Sequence, residues 1–314
     1  MVDQMERVRI VSRDLVRRFI FENHPVRGHW VHLSEAWREL RAHSDYPPAV
    51  VELLGEAVAA SVLLAATLKF RGTLTFQLQG NGALRLLVAQ CTHDFRMRAV
   101  ARCDEAALRV IREAAPGAAV FRALTGSEGR LTVTVEAEER SMRYQGVVPL
   151  SGDSLAESLE AYFASSEQLP TRVRLTATTE SAAGMLVQKL PVADESEPEA
   201  VAEVWEDATR GIVRLAPEAL RKAALESLLT GVFPGHDLRL FRGSAVRFEC
   251  RCSPERVAGL LRSLGPEEIR DVLREQGSVT VTCEFCHRSY RFDPVDVEAI
   301  FSAPQPPFGS DSIH

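Results

Sequence analysis

Four closely paired cysteines near the C-terminus constrain this chain more than any other feature. One pair is Cys250 and Cys252, and the other pair, thirty residues further on, is Cys283 and Cys286. Four thiolates from two such pairs form the ligand set of a tetrahedral structural zinc site. The second pair lies at the turn of a predicted strand–turn–strand, which is the form of a zinc knuckle. We therefore expect one Zn²⁺ per chain, bound by these four sulfurs.

The segment that contains these cysteines is too small to be stable without a metal ion or disulfides. It begins at Val246 and has about 60 residues, a size at which a domain is marginal without a metal or disulfides. A structural zinc ion contributes roughly 10–16 kcal/mol, against the ~3–5 kcal/mol of a small apolar core. Loss of zinc is therefore predicted to unfold the segment. Thiolates can also be oxidised to disulfides, which are poor ligands. Spacing alone favours a permanently reduced structural zinc site over such a redox switch.

Three other interpretations of the second pair are weaker. A thioredoxin-like redox motif lies beside a βαβ unit, whereas this pair joins two predicted strands. A c-type haem site is suggested by His287 directly after Cys286, but it would leave the first cysteine pair unexplained. His287 could also replace one thiolate as a ligand, but a complete set of four cysteines makes that unnecessary.

Length, composition and charge restrict the class of protein. The 314 residues suggest about two domains, and 46% apolar with 25% charged residues is ordinary for globular proteins. The net charge of −6 argues against a nucleic-acid binder. The most apolar stretch contains Glu52 and Glu56, and its uninterrupted part is shorter than the ~20 residues of a membrane span. We expect a buried helix there, no signal peptide, no membrane association, and a cytoplasmic location with reduced thiols.

The arrangement of predicted elements favours an α+β fold. Strands are mixed with a few helices without regular βαβ alternation. Seven acidic residues and no basic residue lie between positions 192 and 207, a run predicted to be a solvated segment with a short helix and marginal stability. A helix is then predicted from Pro217 to near Gly231. The predicted domains are 1–190 (core domain), 191–245 (helical connector with an acidic start), 246–302 (small zinc-binding module) and 303–314 (disordered tail).

Several short motifs resemble one known family. These motifs are Arg18–Asn23, Val26–Gly28, Tyr46–Pro47, Leu53–Glu56, Ala65–Phe70, Tyr144–Gly146, Ser166–Thr171, Ala183–Leu186 and the two cysteine pairs. With them the sequence resembles, over about residues 12 to 302, the heat shock protein 33 family of bacterial redox-regulated holdase chaperones.

The resemblance implies a switch rather than an enzyme. In this family the reduced, zinc-bound protein is a poor chaperone. By analogy, oxidation should close Cys283–Cys286 first and Cys250–Cys252 second, release zinc, unfold the zinc-binding segment and destabilise the connector. The activated protein would form a homodimer and bind unfolding proteins without ATP, and the resemblance assigns both roles to the core domain 1–190. Catalytic residues and nucleic-acid or membrane partners are not expected.

Two rival functions remain open from the sequence. One is a zinc-stabilised nucleic-acid-binding or regulatory protein, which the negative charge disfavours. The other is a thiol–disulfide oxidoreductase that uses Cys283 and Cys286. The two remaining cysteines, Cys91 and Cys103, are predicted to be buried free thiols.

Overall fold

The computed structural model describes residues 14–42, 44–111, 117–137, 143–191 and 198–302. Helices and mostly antiparallel sheets are mixed along the chain, so the predicted α+β class is confirmed. The chain forms two compact units, one that ends at Glu249 and one that begins at Cys250. The proposed functional domains inside these units stay a prediction, and the predicted tail from 303 lies outside the described residues.

The strands are β1 Leu15–Phe21, β2 Val26–Leu33, β3 Gly72–Gln79, β4 Leu84–Thr92, β5 Arg96–Cys103, β6 Arg130–Ala137, β7 Arg143–Pro149, β8 Thr171–Ala177, β9 Ala182–Lys189, β10 Leu238–Leu240, β11 Ser244–Ala245, β12 Arg247–Phe248, β13 Val279–Thr282 and β14 Ser289–Phe292. The helices are α1 Glu35–Arg41, α2 Pro48–Thr67, α3 Glu105–Ile111, α4 Ala118–Thr125, α5 Leu155–Tyr162, α6 Pro198–Arg214, α7 Pro217–Lys222, α8 Leu225–Val232, α9 Pro254–Leu264, α10 Pro266–Gln276 and α11 Pro294–Ser302. A π-helical turn, Phe163–Glu167, continues α5.

Two six-stranded sheets build the first unit. The first sheet has the order β10-β1-β2-β9-β8, with β11 also paired to β1. The second has the order β12-β5-β4-β3-β6-β7. Among the described strands, β12 and β5 are the parallel pair and the other neighbours run antiparallel. The segment 191–245, predicted to be a helical connector, contains the helices α6–α8 and then the short strands β10 and β11.

The long apolar helix α2 packs between the two sheets. It contacts β9, β8 and β2 on one side and β4, β5 and β3 on the other. A helix covered on both sides needs apolar residues all around, which is why its sequence has little amphipathic character. Its length and composition would suit a membrane span, but 83% of its most apolar window is buried inside the unit. The predicted buried helix is therefore confirmed.

Two carboxyl groups interrupt the apolar surface of α2. Glu52 and Glu56 line a cavity of about 260 Å³ together with residues of α4 and the start of α5. Burial, together with the neighbouring Glu52 carboxyl, raises the pKa of Glu56 to about 7, although the Arg174 guanidinium opposes the shift. The folded protein therefore favours a protonated Glu56 near neutral pH.

Replacement of Glu56 by Gln is expected to flatten the pH dependence of stability. A carboxyl whose pKa is raised from 4.5 to about 7 stabilises the fold fully below pH 4.5 and loses that contribution as pH rises through 7. The wild type should therefore lose about 2 kcal/mol of unfolding free energy between pH 5 and pH 8. Urea unfolding of the zinc-loaded protein at both pH values measures this loss. Glu39→Gln, at an exposed position, should retain the wild-type slope, and an equal slope in Glu56→Gln would contradict the assignment.

The helices α6–α8 cover the other face of the first sheet. Alternate residues of β1, β2 and β9 point toward these helices and form a second apolar core with them. This core contains Phe19, Phe21, Val26, Trp30, Ala183, Met185, Val187, Val204, Ala208, Ile212, Leu215, Leu220, Leu225, Leu228, Leu229 and Phe233.

The helices of this second core differ from the sequence prediction in two ways. The short helix expected in the acidic run is the 17-residue α6, and residues 192–197 of that run lie outside the described residues. The single helix predicted from Pro217 is broken at Ala223 and Ala224, which both have extended backbone. Leu220 and Leu225 are both buried against the sheet. In an unbroken helix they would point about 140° apart, at 3.6 residues per turn, so the break lets both reach the same core.

The second unit is a small module around a hairpin. Strands β13 and β14 pair in register from Val279 to Phe292, and α9, α10 and α11 pack around them. Ser253, directly before Pro254, caps α9 by accepting a hydrogen bond from the Arg256 N–H at 3.3 Å. The buried core of this module has nine residues: Val257, Ala258, Leu261, Ile269, Val279, Tyr290, Phe292, Val297 and Ile300.

Candidate metal centre

Two short segments of the second unit present the four predicted cysteines. Cys250 and Cys252 lie in the extended segment just before Ser253, the N-cap of α9. Cys283 and Cys286 lie in the turn between β13 and β14. In this turn the Cys283 N–H donates to the Arg288 carbonyl at 2.9 Å, and the His287 N–H donates to the Cys283 carbonyl at 2.7 Å. His287 closes the turn in the left-handed region with φ 53°.

The four sulfurs converge on one point. All of them lie within 4.8 Å of one another. The Cys250 and Cys283 sulfurs are 3.6 Å apart, and the Cys252 and Cys286 sulfurs are 3.4 Å apart. Tetrahedral coordination with Zn–S bonds of about 2.3 Å requires sulfurs about 3.8 Å apart. The cluster therefore has the size and donor chemistry to hold a metal ion of this kind.

The surroundings of the sulfurs are unequal in electrostatic terms. Burial raises the pKa of the Cys250 thiol, and burial raises that of Cys286 to about 12. Burial acts in the same direction on Cys252, but hydrogen bonds from the Tyr290 hydroxyl and the neighbouring thiols outweigh it and lower the pKa of Cys252 to about 7. In the metal-free cluster, Cys252 is therefore the favoured position for a thiolate.

The remaining cysteines lie in the first unit. Cys91 on β4 is fully buried, and burial raises the pKa of its thiol far above the ordinary value. Cys103 ends β5 and is partly buried, and burial raises its pKa to about 11. Both thiols are therefore protonated at neutral pH, in keeping with the prediction that they are free thiols.

One residue of the site has no signal in the sequence motifs. Tyr290 lies on β14, and its hydroxyl donates a hydrogen bond to the Cys252 sulfur at 3.0 Å. Its ring belongs to the core of the module, and the residue is 8% exposed. In the sequence it is one of several aromatic residues on predicted strands. The Tyr290 hydroxyl meets the Cys252 sulfur only because of the register of the hairpin and the position of the extended segment that contains Cys252.

The fold and the cysteine cluster together define a class: a two-unit α+β protein whose smaller, C-terminal unit is organised around four thiols. The family model of the Hsp33 protein matches residues 14–293. The chain belongs to the Hsp33 family.

Curated relatives agree with this membership. The chain is 39% identical over 307 residues to the 33 kDa chaperonin of Methylobacillus flagellatus, covering 96% of this chain and 99% of the relative. It is 40% identical over 289 residues to the 33 kDa chaperonin of Chromobacterium violaceum, covering 92% and 94%. It is also 40% identical over 299 residues to the 33 kDa chaperonin of Neisseria meningitidis, covering 95% and 94%. The family identity makes the protein a chaperone and implies a non-enzymatic role in binding unfolded proteins.

A solved structure has the same fold. The crystal structure of the 33 kDa chaperonin from Thermotoga maritima superposes with a TM-score of 0.76 at 24% identity and covers 92% of this chain and 97% of its own.

Proposed function

We propose that this chain is a redox-regulated holdase: inactive when reduced and zinc-bound, and activated when its four cysteines are oxidised. The observation that carries the proposal is the convergence of four sulfurs within 4.8 Å in a module whose described part, residues 250–302, has nine buried core residues. Such a core supplies ~3–5 kcal/mol, whereas bound zinc would supply roughly 10–16 kcal/mol. The order of the module then depends on the ligands.

The cysteine thiolates are the sensor in this proposal. When zinc is bound by Cys250, Cys252, Cys283 and Cys286, it cross-links the segment before α9 to the β13–β14 turn. Oxidation of Cys283 with Cys286, followed by Cys250 with Cys252, converts the four ligands into two disulfides and removes that cross-link. We expect residues 253–302 to unfold as a consequence. The cytoplasm suits this sensor because its thiols are normally kept reduced.

The client-binding surface in this proposal is the sheet face that α6–α8 cover. Phe233 of the segment after α8 packs on Phe21 at a ring-centroid distance of 5.1 Å and on Phe19 at 5.8 Å. Polar contacts also join the helices to the sheet, such as the Arg17–Glu226 ion pair at 2.7 Å. Glu226 is 67% exposed, and exposed ion pairs contribute little. Apolar contact therefore dominates, and opening of the connector would expose aromatic and aliphatic side chains to unfolding clients.

One experiment tests the whole proposal. The reduced, zinc-loaded protein is treated with hydrogen peroxide at a mildly destabilising temperature, and zinc release is followed with a colorimetric chelator. Light scattering of a chemically unfolded client is recorded in parallel, without ATP. We expect one zinc per chain to be released and aggregation to be suppressed only after oxidation, with reversal by dithiothreitol. Aggregation suppressed equally by the reduced protein, or zinc retained after oxidation, would refute the switch.

Three further assays test the rival functions and the oligomeric state. Catalytic turnover of a small disulfide substrate would indicate an oxidoreductase instead of stoichiometric client binding. Steep salt-dependent binding to DNA or RNA would indicate a nucleic-acid-binding protein. Sedimentation of the oxidised protein tests the proposed homodimer.

A further inference from the structure

We propose that Tyr290 is a positioning residue of the redox switch: its hydroxyl holds the Cys252 sulfur by a hydrogen bond and slows the attack of that sulfur on electrophiles. The inference rests on the proposed function, since it assigns a control element to the same four-cysteine site. The inference concerns the Cys252 sulfur alone. Its consequence is that Tyr290, which lies outside the cysteine motifs, protects the Cys250–Cys252 pair against oxidation.

The position of the hydroxyl is fixed by the fold of the module. Tyr290 pairs with Val281 across the β13–β14 hairpin, and its ring is part of the buried core. The Tyr290 oxygen lies 3.0 Å from the Cys252 sulfur, within hydrogen-bond distance for an O–H donor and a sulfur acceptor. The Arg288 side chain hydrogen-bonds the same hydroxyl and lies close to the sulfurs of Cys252 and Cys286. Since a guanidinium only donates, it occupies the oxygen lone pairs and leaves the hydroxyl proton for the sulfur.

Other sulfurs of the cluster receive different donors. The Cys250 sulfur accepts from the backbone N–H of Cys252, and the Cys286 sulfur accepts from the backbone N–H of Arg288. Backbone donors belong to the turns themselves and persist as long as the turns do. The Cys252 sulfur instead accepts its hydrogen bond from the side chain of Tyr290, which lies 38 residues away in the sequence. Its shielding can therefore be altered by one substitution while the turns stay intact.

The chemistry explains why this bond would slow oxidation. The Cys252 thiolate attacks hydrogen peroxide, so that an S–O bond forms, the O–O bond breaks and hydroxide leaves. The Cys250 thiolate then attacks the sulfenic acid, so that an S–S bond forms and the oxygen leaves, after protonation, as water. Two cysteines are oxidised and one peroxide is reduced. A hydrogen bond to the attacking sulfur stabilises its negative charge in the ground state and must weaken as that charge passes to the peroxide, which raises the barrier.

Tyr290→Phe tests the inference, because it removes the hydroxyl and retains the ring. The full-length, reduced, zinc-loaded protein is alkylated with iodoacetamide, and each cysteine is quantified by mass spectrometry over time. We expect alkylation of Cys252 to accelerate about tenfold, the equivalent of about 1.4 kcal/mol, while Cys283 changes by less than about twofold. Ser278→Ala is the control: it removes a hydroxyl from the same hairpin, one that accepts from Arg291 and contacts no sulfur.

The outcomes separate a positioning role from a structural one. Equal acceleration at all four cysteines would mean that the variant loosens the module, and an unchanged Cys252 rate would mean that the bond has no protective effect; either result overturns the inference. If Tyr290→Phe cannot be loaded with zinc, Arg288→Gln provides an indirect test, because it removes the guanidinium that donates to the Tyr290 hydroxyl. A smaller acceleration is expected at Cys252 in this variant, and an unchanged Cys252 rate would overturn the inference. Zinc release from the peroxide-treated wild type does not require Tyr290 to protect Cys252, so failure of this inference can be distinguished from failure of the proposed function.

Discussion

Removal of the metal from the reduced protein is expected to unfold the second unit and leave the first unit folded. The second unit has nine buried core residues, and a core of that size supplies only ~3–5 kcal/mol. If the four sulfurs share the roughly 10–16 kcal/mol of zinc binding equally, Cys283→Ser removes about 3–4 kcal/mol and weakens zinc binding about 100- to 1000-fold. Strong chelation removes the entire contribution. Hydrogen exchange of residues 253–302 should then approach the unfolded rate.

The control for this prediction is another cysteine variant. Cys103→Ser removes a thiol from β5, in the first unit, and should leave zinc stoichiometry and exchange in 253–302 unchanged. Amides of β3, β4 and β6, at the centre of the second sheet, should stay protected in both variants, because their core includes α2 and lies wholly within the first unit. A chelated wild type that retains full protection in 253–302 would show that the metal is not needed for the fold of this unit.

The convergence of the four cysteines could be predicted from the sequence because its geometry is mostly local. Two residues separated by one or by two positions place their sulfurs near each other in any compact turn, so only one long-range contact had to be inferred, between Cys250 and Cys283 for example. The Tyr290 contact is different. It joins β14 to a segment 38 residues earlier, and no spacing rule predicts which aromatic residue of a hairpin will face a given sulfur.

The packing of α6–α8 on the first sheet was also harder to predict, because it too depends on tertiary contacts. In β2 six of the eight residues are buried, because the sheet is covered by α2 on one face and by α6–α8 on the other. Alternation of polar and apolar residues disappears when both faces are buried. The helical break at Ala223 was missed because alanine favours helix, and only the shared burial of Leu220 and Leu225 makes the break favourable. Tertiary packing therefore decided the structure of the connector.

Because α6–α8 pack on the first sheet through apolar side chains, we expect Ile212→Asp to make the reduced, zinc-bound protein an active chaperone without oxidant. Ile212 lies on α6, is 1% exposed and belongs to the core between α6–α8 and the first sheet. Shortening a buried isoleucine costs ~2–5 kcal/mol, and a buried carboxylate costs more, so the total penalty is at least about 4 kcal/mol. We expect the connector to open and expose Phe19 and Phe21. Light scattering of an unfolded client should then be suppressed as strongly as by the peroxide-treated wild type.

The neighbouring residue provides the matched control. Val213 is on the same helix but is 64% exposed, so Val213→Asp introduces the same charge and the same loss of a branched side chain without touching the core. It should remain inactive until oxidised. Zinc content must stay at one per chain in both variants, which separates opening of the connector from loss of the metal. If hydrogen exchange shows that α6–α8 are open in Ile212→Asp and the variant still fails to hold clients, the covered sheet face is not the binding surface. If both variants are active when reduced, charge on α6 rather than uncovering of the sheet controls activity.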